Sequence, residues 1–118
     1  MKNTIKNGLS IIILILLVNT SNIIIAQNVI DGKAHADIKT SAVCGSCKKT
    51  IESALKKLDG VQSASLDLST KIVSVDYSVE AVSLQQIKKT ITEVGYDADE
   101  MPAVEDAYDH LDGCCKKE

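Results

Sequence analysis

The sequence contains no Phe and no Trp, and three Tyr residues account for its 3% aromatic content. The core must therefore be aliphatic, built from Ile, Val, Leu and Ala. Arginine is also absent: Lys supplies all 13 positive charges against 16 acidic residues, which gives a formal net charge of -3. Because no basic stripe is present, the charge pattern argues against a nucleic-acid partner.

A large catalytic architecture is also missing. The 118 residues fit one small globular domain and leave no room for a multidomain enzyme. The sequence has neither a Ser-His-Asp pattern nor a phosphate-binding loop, and a domain of this size has little room for a substrate pocket. We therefore predict that the protein is not an enzyme.

The first 26 residues have the layout of an export signal. Lys2 and Lys6 precede two apolar runs, residues 11–18 and 23–26, and no acidic residue occurs among residues 1–26. A positively charged start followed by an apolar stretch is typical of a signal peptide. This pattern predicts a periplasmic or secreted protein.

Cleavage of this segment is predicted after Ala26. The polar residues 19–22 interrupt the apolar stretch well before the roughly 20 residues that a membrane span needs. An uncleaved anchor is the alternative; after cleavage no stable membrane span is expected. Removal of two Lys would leave 11 Lys against 16 acidic residues, a net charge of -5. Residues 27–35 then form a flexible lead without periodicity.

Within residues 36–99, apolar residues recur with the period of a strand in some segments and with the period of a helix in others. A half-buried strand is predicted from Ala36 to Ala42, and an amphipathic helix follows Cys47 and ends at Gly60. The apolar face of this helix consists of Ile51, Ala54, Leu55 and Leu58. A hairpin is predicted next, with inward-facing Ala64, Leu66 and Leu68 on one strand and Val73, Val75 and Tyr77 on the other.

The second half of this region predicts another helix and a short strand. Ser83 and Gln86 form a capping box, which satisfies backbone N–H groups at a helix start, and Gly95 ends the helix. Its apolar positions are Leu84, Ile87, Ile91 and Val94. Residues 96–98 form the predicted last strand. The order βαββαβ predicts an α+β domain, with a four-stranded antiparallel sheet and two helices on one face.

The pair Cys44 and Cys47 lies where the first strand passes into the first helix. Free N–H groups and the positive dipole end at a helix start favour thiolate over thiol. Two soft anionic ligands without further donors suit an ion that accepts low coordination, such as Cu(I) or Hg(II). A structural disulfide closing so short a loop would add little stability.

This arrangement resembles the heavy-metal-associated domain of copper chaperones, metal-transporting ATPases and periplasmic mercury-binding proteins. The matching positions are Cys44, Cys47, Gly60, Val61, Val73, Val75, Tyr77, Gly95, Tyr96 and Ala98. The resemblance implies a ferredoxin-like fold, in which Cys44 and Cys47 bind the ion and pass it by ligand exchange to a metal transporter or another metallochaperone.

Two features bear on what this resemblance implies. The family usually places Gly-Met-Thr before the first Cys, whereas this sequence has Ser41, Ala42 and Val43, which affects the expected stiffness of the loop and its metal preference. Tyr96 stands where bacterial members place a Tyr near the ion; a core aromatic is the alternative interpretation.

A small thiol-disulfide exchange protein is the rival hypothesis, because a C-x-x-C motif at a helix start also occurs in such proteins. Against it, no Trp flanks the motif and the only Pro, Pro102, lies at the end of the domain. Exposed paired thiolates could also bridge an ion between two copies of the chain.

The tail, residues 100–118, is acidic and carries a second cysteine pair, Cys114 and Cys115, with His110 nearby. A short helix is predicted from Val104 to Leu111. The pair could form a vicinal disulfide, a second soft-metal site, or extra ligands that fold back to Cys44 and Cys47. A closed four-thiolate site would favour Zn(II). His35, in the predicted lead, is not included in the site.

Overall fold

A computed structural model describes residues 31–117 of the chain. The predicted signal peptide, the first four residues of the predicted lead and the last residue lie outside this range. Within it, the strands are β1 (Lys33–Lys39), β2 (Val61–Asp67) and β3 (Ile72–Ser78), and the helices are α1 (Gly45–Lys56), α2 (Leu84–Glu93) and α3 (Glu105–Asp109). A 3₁₀ turn, Gly113–Cys115, follows α3. Among these residues, no helix is long and apolar enough to cross a membrane.

The sheet has three strands in the order β1-β3-β2, and both pairings are antiparallel. Val73 of the central strand pairs with Ile38 on one side and Leu66 on the other. All three side chains are buried, because alternate residues of a strand point to the same face of the sheet. The predicted α+β class and the antiparallel hairpin are confirmed.

The aliphatic core lies between the sheet and the two main helices. Helix α1 packs against β2 and α2, and its residues Ile51 and Leu55 are fully buried. Helix α2 begins at the predicted capping box, in which Ser83 and Gln86 each bond the other's backbone N–H, and buries Ile87 and Ile91. The helical periodicity in the sequence therefore identified the inward faces correctly.

The predicted fourth strand does not form as a strand among the described residues. One antiparallel bridge, between Thr40 and Ala98, takes its place. Beside it, the Asp99 N–H donates to the Lys39 carbonyl at 2.8 Å, and side chains supply the other bonds: Ser41 Oγ accepts the Asp97 N–H at 2.9 Å, and Asp99 Oδ1 accepts the Lys39 N–H at 2.8 Å. Asp99 has φ 50°, a left-handed conformation that turns the chain away and ends the pairing.

Several boundaries also differ from the prediction. Strand β1 ends at Lys39 rather than at Ala42, and α1 ends at Lys56 rather than at Gly60. Strand β1 begins at Lys33, so the last three residues of the predicted flexible lead belong to the sheet, where Ala34 is buried. Leu68 was expected to face the core, but β2 ends at Asp67 and Leu68 is 36% exposed. It lies in the turn rather than on the strand, so the period-2 pattern no longer applies to it.

The tail folds back against the domain. Gly95 has φ 102°, and a Cβ added there would lie 3.0 Å from both the Ala107 carbonyl oxygen and Leu111 Cδ2. Only glycine permits this close approach. The Val104 N–H donates to the Thr92 carbonyl at 3.0 Å. These contacts bring the 3₁₀ turn to the end of the domain that carries the C-x-x-C motif.

Candidate metal centre

The C-x-x-C motif occupies the start of α1. Cys44 is the N-cap residue in an extended conformation, and Cys47 lies in the first turn. Their sulfur atoms are 3.0 Å apart. Cys47 is fully buried, whereas Cys44 is partly exposed. A Cβ at Gly45 would meet nothing within 4 Å, so the small size of this residue is not what lets the two sulfurs converge.

The loop before Cys44 is held by side-chain hydrogen bonds. Thr40 Oγ1 donates to the Lys71 carbonyl at 2.9 Å and accepts the Ala42 N–H at 3.2 Å, while Ser41 binds the backbone of Asp97. Ala42, at the position where the family usually has Met, is fully buried. Polar contacts thus fix a loop that lacks the larger apolar side chain.

A third sulfur reaches the motif from the tail. Cys115 Sγ lies 3.2 Å from Cys44 Sγ, and the sulfurs of Cys44, Cys47 and Cys115 all lie within 4.8 Å of one another. Cys115 is 5% exposed. We call these three residues the sulfur cluster.

Cys114 lies at the edge of this cluster. It is exposed, and its sulfur is 3.9 Å from that of Cys44 and 3.8 Å from that of Cys115. It lines an open cleft of about 590 Å³ together with the lysines Lys39, Lys71, Lys116 and Lys117. All four cysteines are free thiols in the structure.

The sulfurs of the cluster differ in acidity. The Cys47 side chain and backbone N–H, together with the Cys115 side chain, lower the pKa of Cys44 to about 7. Burial, with further effects of Cys47 and Cys44, raises the pKa of Cys115 to about 12. In the ion-free cluster Cys44, which is partly exposed, is therefore more readily a thiolate near neutral pH than Cys115.

Tyr96 adjoins the cluster from the core side. Its side chain is buried, and burial raises the pKa of its phenol, with the neighbouring Cys47 and Cys115 raising it further. The hydroxyl therefore remains a proton donor. The two interpretations of Tyr96 are compatible, because it is both a core aromatic and a neighbour of the sulfurs.

The two histidines lie apart from the sulfur cluster. His110 is exposed, and its Nδ1 is 2.6 Å from the Asp106 carbonyl oxygen within the α3 region. His35 lies on β1, where its ring nitrogens are 2.7 Å from Asp76 Oδ1 and 3.0 Å from Asp37 Oδ1. Of the three residues suggested as additional metal ligands, Cys115 lies in the cluster, Cys114 lies at its edge and His110 lies outside it.

Comparison with known proteins agrees with this geometry. The sequence model of the heavy-metal-associated domain matches residues 39–97, which is half of the chain. The chain belongs to the heavy-metal-associated domain family. The matched region includes Cys44 and Cys47 and ends before Cys114 and Cys115, so the tail cysteines are additions to the family's domain.

Several similar proteins are named as copper chaperones or copper-binding domains. The chain is 48% identical over 54 residues to the copper chaperone CopZ of Staphylococcus haemolyticus, covering 46% of this chain and 79% of the relative. A CopZ metallochaperone structure superposes with a TM-score of 0.53 at 38% identity, covering 55% of this chain and 98% of that one.

A third similarity extends to a transporter module. The N-terminal domain of a potential copper-translocating P-type ATPase from Bacillus subtilis, solved in the Cu(I)-loaded state, has a TM-score of 0.53 at 26% identity, covering 55% of this chain and 82% of that one. The relatives are metallochaperones and metal-binding domains, so the prediction that this heavy-metal-associated domain protein is not an enzyme is confirmed.

Sequence reasoning did not distinguish Cys115 from Cys114. The signals that separate them are weak: Gly95 permits the tail to approach, and Leu111 packs against the core. Adjacent residues of a 3₁₀ turn point in different directions. Only the docked position of the tail decides which of the two sulfurs faces Cys44.

Proposed function

We propose that the protein is an exported metallochaperone that carries Cu(I) on Cys44 and Cys47. The observation that supports this function best is the 3.0 Å approach of two sulfurs at a helix start, in a chain whose family binds heavy metals. Cu(I) is preferred over Hg(II) and Zn(II) because the similar proteins are copper chaperones and copper-binding domains. Zn(II) also favours four closed ligands.

Capture of the ion begins at Cys44. Its pKa of about 7 provides a thiolate near neutral pH, and thiolate is the form that binds metals. Cysteine binds a metal as the thiolate, so a ligand that is still protonated gives up its proton to the solvent as the ion binds. The neutral Tyr96 hydroxyl can then donate to a thiolate of the cluster, which offsets part of the cost of burying negative charge.

Delivery follows by ligand exchange with a thiolate acceptor. An incoming acceptor sulfur bonds to the ion before the bond to one of the chain's own sulfurs breaks, so the ion is never free. The acceptor that we propose is the cysteine pair of a metal-binding domain of a copper-transporting ATPase, because such a domain has the same fold. An acceptor metallochaperone would use the same chemistry.

Copper binding is tested by competition with a chromophoric Cu(I) chelator. The chain, purified reduced and without oxygen after expression of the full sequence, should remove Cu(I) from the chelator. The double variant Cys44→Ser/Cys47→Ser should lose all tight binding, while His110→Ala, which changes an exposed residue outside the cluster, should bind as the wild type does. Unchanged binding in the double variant would contradict the proposed site.

Export is tested separately from metal binding. After expression of the full sequence in a bacterial host, we expect mature protein outside the cytosol, with a mass that corresponds to cleavage after Ala26. An intact N-terminus on protein confined to the cytosol would contradict export and leave the metal site unaffected.

A further inference from the structure

The tail positions a third sulfur beside the proposed copper ligands. Cys115 Sγ is 3.2 Å from Cys44 Sγ, and all three sulfurs lie within 4.8 Å of one another. We propose that Cys115 is a third thiolate ligand, so that the tail closes over the bound ion and must be displaced before the ion is delivered. This inference rests on the proposed binding of Cu(I) by Cys44 and Cys47.

Several contacts hold the tail in this position. Leu111 packs into the space that glycine leaves at position 95. Lys117 Nζ forms an ion pair with Asp97 Oδ2 at 2.5 Å, and its backbone N–H donates to the Tyr108 hydroxyl at 3.1 Å. The two sides of the 3₁₀ turn are therefore anchored independently, by an apolar contact before it and polar contacts after it. Cys115 lies between these anchors.

The burial of the four cysteines favours three ligands rather than four. Cys47 and Cys115 are buried and Cys44 is partly buried, whereas Cys114 is exposed. Tetrahedral Zn(II) sites are closed on all four sides, which the position of Cys114 does not provide. Three soft sulfurs around one point match a thiophilic ion such as Cu(I), which accepts low coordination.

The cluster needs only a small opening to accept an ion. If each metal–sulfur bond is ~2.3 Å, as for thiolate ligands in proteins, sulfurs at the corners of a planar triangle stand about 4 Å apart. The 3.0 and 3.2 Å separations would therefore widen by roughly 1 Å around the ion. A tail anchored by side-chain contacts can make this adjustment without unfolding α1.

The third ligand changes how delivery proceeds. Cys115 occupies the coordination position that an acceptor thiolate would otherwise enter. One bond from the metal to Cys115 breaks as one bond from the metal to the acceptor sulfur forms, and the proton that the acceptor thiol gives up is taken by the released Cys115 thiolate. The oxidation state of the ion does not change. An acceptor must therefore displace the tail, which reduces loss of copper to other thiols.

X-ray absorption of the Cu(I)-loaded full chain counts the sulfurs bound to copper. We expect three sulfurs in the wild type and two in both Cys115→Ser and Cys115→Ala; the alanine variant avoids a buried hydroxyl. In chelator competition, both variants should bind Cu(I) at least about tenfold more weakly, which corresponds to ~1.4 kcal/mol. The matched control Cys114→Ser should keep three sulfurs and an affinity within about twofold of the wild type.

Each other outcome decides against a specific part of the account. Two sulfurs in the wild type, or three that persist in both Cys115 variants, would overturn the inference about the tail while copper binding by Cys44 and Cys47 stands. Loss of the third sulfur in Cys114→Ser but not in the Cys115 variants would overturn it as well. Copper that stays bound in Cys44→Ser/Cys47→Ser would instead overturn the proposed function itself.

Discussion

The sulfur of Cys115 lies 3.2 Å from that of Cys44, although the two residues are 71 positions apart in the sequence. The motif that defines the family supplies one of these residues, and a tail beyond the matched region supplies the other. The molecule thus combines the C-x-x-C motif of the family's domain with a tail that brings a third sulfur close to it.

The approach of the tail depends on Gly95. We expect Gly95→Ala to destabilise the protein by roughly 1–2 kcal/mol, the cost of a left-handed backbone for an L-residue, with additional crowding against Leu111. Urea unfolding followed by circular dichroism measures this difference. Gly45→Ala is the matched control, since its Cβ meets nothing within 4 Å, and it should be neutral or slightly stabilising. Equal stability of Gly95→Ala and wild type would contradict the proposed packing.

Two leucines near the end of β2 provide a matched pair for the core. Leu66 is 1% exposed and Leu68 is 36% exposed. Leu66→Ala should cost about 2–5 kcal/mol, because it leaves a cavity between sheet and helices, whereas Leu68→Ala should stay within about 0.5 kcal/mol of the wild type. Thermal or denaturant unfolding compares the two. Similar losses in both variants would show that Leu68 belongs to the core after all.

Alkylation should distinguish the cysteines by pH. Since the thiolate is the reactive form and the pKa of Cys44 is about 7, its reaction rate with iodoacetamide should rise with a midpoint near pH 7 in the metal-free protein. Cys115, whose pKa burial raises to about 12, should remain slow throughout the neutral range. Mass spectrometry of the peptides reports each site. A faster reaction of Cys115 than of Cys44 at pH 7 would contradict this assignment.

The acidity of Cys44 also makes stability depend on pH. Its folded pKa of about 7 lies below the ordinary value of 9.0, so its contribution to stability is present above pH 9.0 and is lost as the pH falls through about 7. Cys44→Ser should remove this part of the pH dependence. The comparison of unfolding curves for the two proteins between pH 6 and 9 isolates the effect, and identical profiles would argue against a stabilised thiolate.

On the outer face of the sheet, His35 should titrate above the ordinary histidine value. Hydrogen bonding to Asp76, and more weakly to Asp37, raises the pKa of His35 above 6.5. The stabilising effect of the protonated ring is complete below about pH 6.5 and is lost as the pH rises through the raised value. NMR titration should show that Asp76→Asn lowers the pKa of His35 more than Asp37→Asn does. A His35 pKa at or below 6.5 in the wild type would contradict the pairing.

Much of the fold can be predicted from local sequence patterns, because the spacing of apolar residues shows which face of a helix or strand is buried. The buried faces of α1 and α2 and the capping box at Ser83 have the predicted places. Leu58, predicted on the apolar face of α1, instead lies beyond the end of that helix at Lys56 and is only partly buried. The pattern that predicts the last strand covers only residues 96–98. Three residues are too few to show that the side chains of Ser41 and Asp99 replace two of the ladder bonds.

The candidate site, too, could be predicted only in part from the sequence. Cys44 and Cys47 were predictable because their chemistry lies within one turn of chain. The choice of Cys115 over Cys114 was not, since it depends on a contact between Gly95 and Leu111 that is set by the docked tail. A contact between residues far apart in the sequence is not indicated by residue spacing or by composition.

Metal content and free thiols, measured on the same natively purified sample, test the central claim most directly. We expect copper equimolar with the chain, with Cys44 and Cys47 protected from alkylation until a Cu(I) chelator removes the metal. Copper-free protein with Cys44 and Cys47 joined in a disulfide, which takes up no Cu(I) after reduction, would contradict the claim that this pair carries copper.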